Sequence, residues 1–168
     1  MAMESKAKML GHGVHPILVM FPLGLFLSGL IFDLLAAALK KPHLAAVGYW
    51  NITGGLAGGV AAAVPGFIDW QAIPEGTRAK QIGRLHGLGN LGLMGLFGAS
   101  WLLRRNAPSQ LPGAGPLALE VLGAAAAGAT GWLGGELVER LGVGVAPGAH
   151  LNAPSSLSRA AGSELGGR

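Results

Sequence analysis

The histidines are the residues whose type and spacing point most directly to chemistry. His12 and His15 lie in the segment Gly-His-Gly-Val-His-Pro, and His86 lies in Arg-Leu-His-Gly-Leu-Gly-Asn, with Asn90 one helical turn later. A residue before proline is pushed out of the α region, so we expect His15 to cap a helix, with His12 just ahead of it. Neutral imidazoles bind haem iron, zinc and copper.

Two or three imidazoles that converge from separate helices, without thiolate ligands, favour haem iron. We therefore expect one b-type haem, bound by His86 and by either His15 or His12, with Asn90 close to the ligands. Basic side chains on the same side are expected to pair with the haem propionates. These are Arg78, Lys80, Arg84 and Arg140.

Two other interpretations of the histidines stay open. His12, His15 and His86 together supply the three imidazoles of a zinc or copper site. Alternatively, the protein binds no cofactor, serves a structural or partner-anchoring role, and its histidines bond to carbonyls or headgroups at a membrane surface. No catalytic residue is predicted, because G-x-S-x-G, Walker and H-E-x-x-H patterns are absent. An electron-transfer or binding subunit is thus favoured over a stand-alone enzyme.

Two acidic residues, Asp33 and Glu120, interrupt apolar stretches on the side opposite the histidines. They are placed to line a proton path, although a single buried hydrogen bond for each is the simpler interpretation. Glu136 and Arg140 stand four residues apart, which predicts an ion pair along one helix face.

The composition shows which elements must position these side chains. Charged residues form only 12% of the 168 residues, hydrophobic residues form 51%, and the mean hydropathy is +0.49. A soluble domain of this size needs a more polar surface, so the class is a small integral membrane protein whose partner is the lipid bilayer. The absence of cysteine excludes disulfides, thiolate metal sites and thiol catalysis. The net charge of +4 is scattered, without aromatic interleaving, and predicts no nucleic-acid binding.

Four stretches are each long and apolar enough to cross a bilayer, which needs roughly 20 residues. The predicted fold is all-α, an integral membrane four-helix bundle in residues 1–141. Its helices are expected at about 16–39, 44–68, 85–103 and 117–138. Residues 142–168 are rich in Gly, Ala and Ser, which predicts a flexible or surface-lying tail.

The positions of the basic residues predict the orientation of the four spans. Eight of the 12 Lys and Arg fall on the side that carries both termini and the histidines, which predicts that this side is cytoplasmic. They are Lys6, Lys8, Arg78, Lys80, Arg84, Arg140, Arg159 and Arg168.

Glycines recur at helical spacing in the predicted spans. Gly54 and Gly58 form one G-x-x-x-G pair, Gly55 and Gly59 form a second, and the fourth helix has a ridge that includes Gly123. Small residues let membrane helices approach closely, so we expect a compact bundle and a surface suited to homo-oligomers.

Several motifs together resemble a bacterial family of predicted four-span membrane proteins, domain of unknown function twenty-two thirty-one. The resemblance extends from about Gly11 to Val145. It rests on the segments at 11–16, 19–25, 65–70 and 131–137, on Phe32-Asp33, Ile73-Pro74 and His86-Gly87 with Asn90, and on 142–145.

The resemblance implies a multi-pass protein of the bacterial plasma membrane. Some members stand beside or are joined to Rieske-type or other redox proteins, and the histidine-bearing bundle is similar to membrane b-type cytochromes. Rieske-type or other redox proteins are therefore the implied partners. Many relatives have histidine at the position of Leu141, so this chain departs from the family there.

Overall fold

Four long helices make up most of the computed structural model, which describes residues 2–157. The helices are α1 (Val14–Leu39), α2 (Pro42–Ala72), α3 (Arg78–Arg104) and α4 (Ala114–Gly135). A hairpin of β1 (Lys8–Met9) and β2 (His12–Gly13) precedes α1, and a π-helical turn (Glu136–Arg140) follows α4. The prediction of a helical protein is confirmed, and the hairpin is an addition that the sequence did not predict.

The connection between α2 and α3 is shorter than its polar sequence suggests. The second helix continues to Ala72 and the third begins at Arg78, whereas the predicted bounds left residues 69–84 outside helices. Thr77 caps α3, because its hydroxyl accepts a hydrogen bond from the backbone N–H of Lys80 at 3.1 Å. The ammonium group of Lys80 donates to the Trp70 and Ile73 carbonyls at the end of α2.

The helices form two antiparallel pairs, α1 with α2 and α3 with α4. Glycines allow the close approach within each pair: a Cβ on Gly55 would lie 2.7 Å from Phe26, and a Cβ on Gly123 would lie 2.7 Å from Phe97. Phe26 and Phe97 stack with ring centroids 4.4 Å apart and join the two pairs. They form one core with Ile52, Leu93 and Ala127.

The distribution of polar and apolar side chains is that of a membrane protein. Phe21 is 62% exposed and Leu91 is 70% exposed, whereas Asp33 and Glu120 are completely buried. A soluble protein with so many large apolar side chains on its surface would aggregate. Within residues 2–157, three segments are long and apolar enough to cross a membrane: Val14–Leu39, Pro42–Ala72 and Ala114–Arg140. The helix α3 is also long, but its glycines and polar residues lower its hydropathy.

The N-terminal segment lies against the chain that leaves α4. Met3 forms an isolated parallel bridge with Val143. Its N–H donates to the Gly142 carbonyl at 2.8 Å, and its carbonyl accepts from the Gly144 N–H at 2.7 Å. The beginning of the predicted tail therefore has backbone partners. The last part of the predicted tail, residues 158–168, lies outside the described residues, and so do the predicted positions of Arg159 and Arg168.

Candidate functional site

His15 lies in the first turn of α1, which begins at Val14. The prediction that His15 caps the helix is wrong. Pro16 fits within the first helical turn, where its nitrogen needs no backbone hydrogen-bond partner, so the helix can begin before His15. The Nδ1 atom of His15 lies 2.8 Å from the Ala62 carbonyl of α2. Gly66 makes room for the ring, since a Cβ there would lie 2.7 Å from the same Nδ1.

His86 lies on α3 and contacts α4 in a similar way. Its Nδ1 atom lies 2.9 Å from the Thr130 carbonyl, and its Nε2 lies 3.0 Å from the Asn90 amide nitrogen. A Cβ on Gly134 would lie 3.2 Å from the imidazole, a tight contact that the glycine avoids. Asn90, one turn after His86, therefore contacts the ring directly.

The two imidazoles form a pair across the bundle. The ring centroids of His15 and His86 lie 6.3 Å apart, with the ring planes at 88°. A backbone carbonyl only accepts hydrogen bonds, so each Nδ1 acts as the donor. In the neutral imidazole this places the lone pair on Nε2, which is then able to bind a metal. In His86 that nitrogen accepts from Asn90.

Three other residues predicted for the site, His12, Arg84 and Arg140, are exposed. His12 is exposed in the hairpin, where its Nδ1 lies 3.2 Å from the Leu10 carbonyl. Arg84 and Arg140 are exposed, on α3 and on the π-helical turn. Within residues 2–157, no group of three His, Cys, Asp or Glu is arranged to hold a metal ion.

The predicted ion pair between Glu136 and Arg140 is replaced by one with Arg78. The Arg78 Nη2 atom lies 2.7 Å from Glu136 Oε1, and joins the start of α3 to the turn after α4. The π-helical turn changes the angular spacing of its side chains, so the four-residue rule for α-helices does not hold there.

A second polar cluster lies at the other end of the bundle, and the sequence did not predict it as a cluster. Asp33, Arg104 and Glu120 come from α1, α3 and α4 and are buried together. The predicted third helix ended at residue 103 and so left out Arg104, which is the last residue of α3. The available signal was the occurrence of two acids and one arginine at corresponding depths in separate helices, which require one another as partners.

Asp69, near the end of α2, binds the N-terminal segment. Its carboxylate accepts hydrogen bonds from the Ser5 hydroxyl at 2.6 Å and from the backbone N–H groups of Lys6 and Ala7 at 2.6 and 3.1 Å. Asp69 therefore holds the segment that leads to the hairpin and to His15.

Comparison with known proteins identifies a family. The family described as "Predicted membrane protein (DUF2231)" matches residues 11–147. The matched segment includes both histidines of the pair, the buried acids and Arg104. No curated protein and no solved structure matches the chain. The protein is a membrane protein with several apolar helices, and it belongs to the DUF2231 family.

Proposed function

We propose that the protein binds one b-type haem through His15 and His86 and acts as an electron-transfer protein or as a subunit of a redox complex. The observation that carries the proposal is the pairing of these two imidazoles from separate helices, at 6.3 Å between ring centroids. Haem supplies one-electron chemistry when it is bound, and the protein residues hold and tune it.

The separation of the rings suits two ligands of one metal. A metal–imidazole bond is about 2 Å long, so two imidazoles that would hold one metal have ring centres at most on the order of 6 Å apart. An imidazole rotates freely about a metal–nitrogen bond, so the angle of 88° between the ring planes would allow His15 and His86 to hold the same metal. Ligation of His86 requires the Asn90 amide to move away from Nε2.

The contacts of both Nδ1 atoms also support metal binding. Histidines that bind metals usually donate their second ring N–H to a carbonyl or carboxylate, which fixes the tautomer and the ring orientation. His15 and His86 do so with the Ala62 and Thr130 carbonyls. These bonds to carbonyl groups of α2 and α4 orient the two rings before any ligand binds.

The number of ligands favours haem over a zinc or copper ion held by protein alone. Zinc sites use three or four protein ligands, whereas a macrocycle supplies four nitrogens and leaves two positions for histidine. His12, the third histidine of the alternative site, lies in the exposed hairpin. Arg84, exposed two residues before His86, is available to a haem propionate.

The proposal includes the arrangement in the membrane. In it, α3 crosses the bilayer as the fourth span of a bundle in the bacterial plasma membrane, with both termini and the histidine pair on the cytoplasmic side. The excess of Lys and Arg near the termini and the α2–α3 connection supports this orientation. Rieske-type or other redox proteins are the proposed electron partners.

The visible spectrum of the full-length protein tests the haem proposal. After expression with haem supplied and purification in detergent, we expect a Soret band and an α band in the reduced-minus-oxidised spectrum. His15→Ala and His86→Ala should each abolish or strongly shift these bands, because each removes one of the two histidines that would hold the haem.

The matched controls are His12→Ala and His43→Ala, which change exposed histidines and should leave the spectrum unaltered. Absence of the bands from the unaltered protein would refute haem binding. If the unaltered protein holds stoichiometric zinc or copper and His86→Ala loses it, the histidines bind a metal ion and the haem proposal is wrong. If no variant changes the spectrum or the metal content, His15 and His86 bind no cofactor and serve only as a contact between helices.

A further inference from the structure

The cluster of Asp33, Arg104 and Glu120 joins all four helices. Asp33 and Glu120 are 0% exposed and Arg104 is 6% exposed. The guanidinium group of Arg104 also donates to the Ala45 carbonyl of α2 at 2.9 Å. Gly48 of α2 allows Asp33 to lie there, because a Cβ at that position would collide with its carboxylate.

Arg104 is committed mainly to Asp33. Its two terminal nitrogens each contact a different oxygen of the Asp33 carboxylate, with Nη2 at 2.8 Å from Oδ1. This two-point arrangement is the strongest pairing available to an arginine. The contact with Glu120 is longer and single, at 3.2 Å from Nη1 to Oε1. The positive charge of Arg104 is therefore balanced by Asp33.

Glu120 shares Arg104 with Asp33 and has no other cation as a partner among residues 2–157. Its Oε1 accepts from the Ser100 hydroxyl at 2.6 Å, while its Oε2 is buried without a hydrogen-bond partner in the part of the chain that is described. The charged or titratable groups that face the cluster are Asp33 from α1, Tyr49 from α2 and Arg104 from α3. Two acids thus share one arginine.

An ionised Glu120 would leave one negative charge uncompensated inside the bundle. Burial of an unpaired carboxylate is so costly that such a group normally takes up a proton. A neutral carboxylic acid keeps the contact of Oε1, which still accepts from the Ser100 hydroxyl, and leaves no charge on the buried Oε2.

We propose that this cluster is a proton-binding site, in which Glu120 carries one exchangeable proton at neutral pH. The proposal is independent of the histidine pair. Glu120 lies six residues after Ala114, the first residue of α4, so the site is about 9 Å from the helix start at a rise of 1.5 Å per residue. The end of the bundle that carries the α1–α2 and α3–α4 connections is therefore the side from which the proton exchanges with water.

Infrared spectroscopy of the full-length protein in lipid nanodiscs tests the proposal. At neutral pH we expect a carbonyl stretching band of a protonated carboxylic acid. The band should shift after labelling with ¹³C-glutamate and after transfer to D₂O. It should disappear in Glu120→Gln, which retains the size of the side chain and leaves the cluster neutral.

Asp33→Asn tests whether Glu120 carries a proton because Asp33 balances the charge of Arg104, or only because Glu120 is buried. In this variant Arg104 has only one acid as a partner, so Glu120 should ionise and the band should disappear although Glu120 is present. Ser100→Ala is the matched control: it removes a hydrogen bond but no charge, so the band should shift and persist.

Absence of the band in the unaltered protein would overturn the proposal, as would its persistence in Glu120→Gln. An unchanged band in folded Asp33→Asn would overturn the charge-balance argument. If Asp33→Asn does not fold, the isotope shifts and Glu120→Gln decide the matter, because the neutral Glu120→Gln cluster should support a folded protein.

Discussion

Single glycines determine where the polar side chains lie. Gly66 allows His15 to reach the Ala62 carbonyl, Gly134 leaves space for His86, and Gly48 does the same for Asp33. Glycine within a helix costs roughly 0.5–1 kcal/mol relative to alanine. In a membrane this cost is offset by the close packing and hydrogen bonds that the missing side chain permits.

Gly66→Ala should therefore disturb the histidine pair. The new Cβ would lie 2.7 Å from His15 Nδ1, so the ring or the helix has to move. Overpacking of this kind costs about 1–3 kcal/mol. We expect a lower thermal unfolding midpoint in detergent. Gly24→Ala on α1 is the control, because its Cβ would meet nothing within 4 Å; equal midpoints for both variants would contradict the role of Gly66.

At the scale of elements, one short segment connects three parts of the fold. The N-terminal residues bind the end of α2 through Asp69 and the chain after α4 through Met3. They then form the hairpin that leads into α1 and His15. The segment therefore closes the end of the bundle at which the histidine pair lies.

Asp69→Asn should loosen this segment. The carboxylate accepts three hydrogen bonds, and bonds to a charged group are worth roughly 1.5–3 kcal/mol each. An amide cannot accept all three, because its nitrogen is a donor. We expect faster trypsin cleavage after Lys6 and Lys8 in the folded protein.

Glu75→Gln is the control for this experiment, since Glu75 is exposed and its ion pair with Lys80 lies near the same helix end. Lys80 is buried, but the Glu75 carboxylate is exposed to solvent, which weakens the pair; pairs at the surface contribute about 0–1 kcal/mol. Equal cleavage rates for the two variants would show that Asp69 does not hold the segment.

At the scale of the whole molecule, the two polar clusters lie near opposite ends of the bundle. His15 and Asp33 are separated by 18 residues of α1, or about 27 Å at the rise of an α-helix. This is close to the hydrocarbon thickness of a bilayer, about 30 Å. The stacked Phe26 and Phe97 and the apolar core lie between them.

Cysteine labelling should establish whether α3 crosses the membrane. The natural chain has no cysteine, so single substitutions at exposed sites report their own location. In the proposed arrangement, Lys6→Cys and Glu75→Cys react from the cytoplasmic side with a membrane-impermeant maleimide. Lys41→Cys and Ser109→Cys react from the opposite side. Labelling of Glu75→Cys and Ser109→Cys from the same side would show that α3 does not cross.

The sequence by itself was sufficient for the class of protein and for most of the helices. Hydropathy and helix length are local properties, so residues 16–39 and 117–138 could be assigned to helices without knowledge of their neighbours. The family could also be inferred from the motifs. The extensions of α2 and α3 were missed, although Thr77 is an N-cap signal.

The tertiary structure alone decided which polar groups meet. It brings His15 rather than His12 to His86, and it buries Arg104 between Asp33 and Glu120. These contacts depend on the rotation and offset of each helix against its neighbours, which are set by glycine contacts between residues far apart in the chain. Sequence periodicity determines which side chains share a face, but a hydrogen-bond partner is determined only when two faces are packed together.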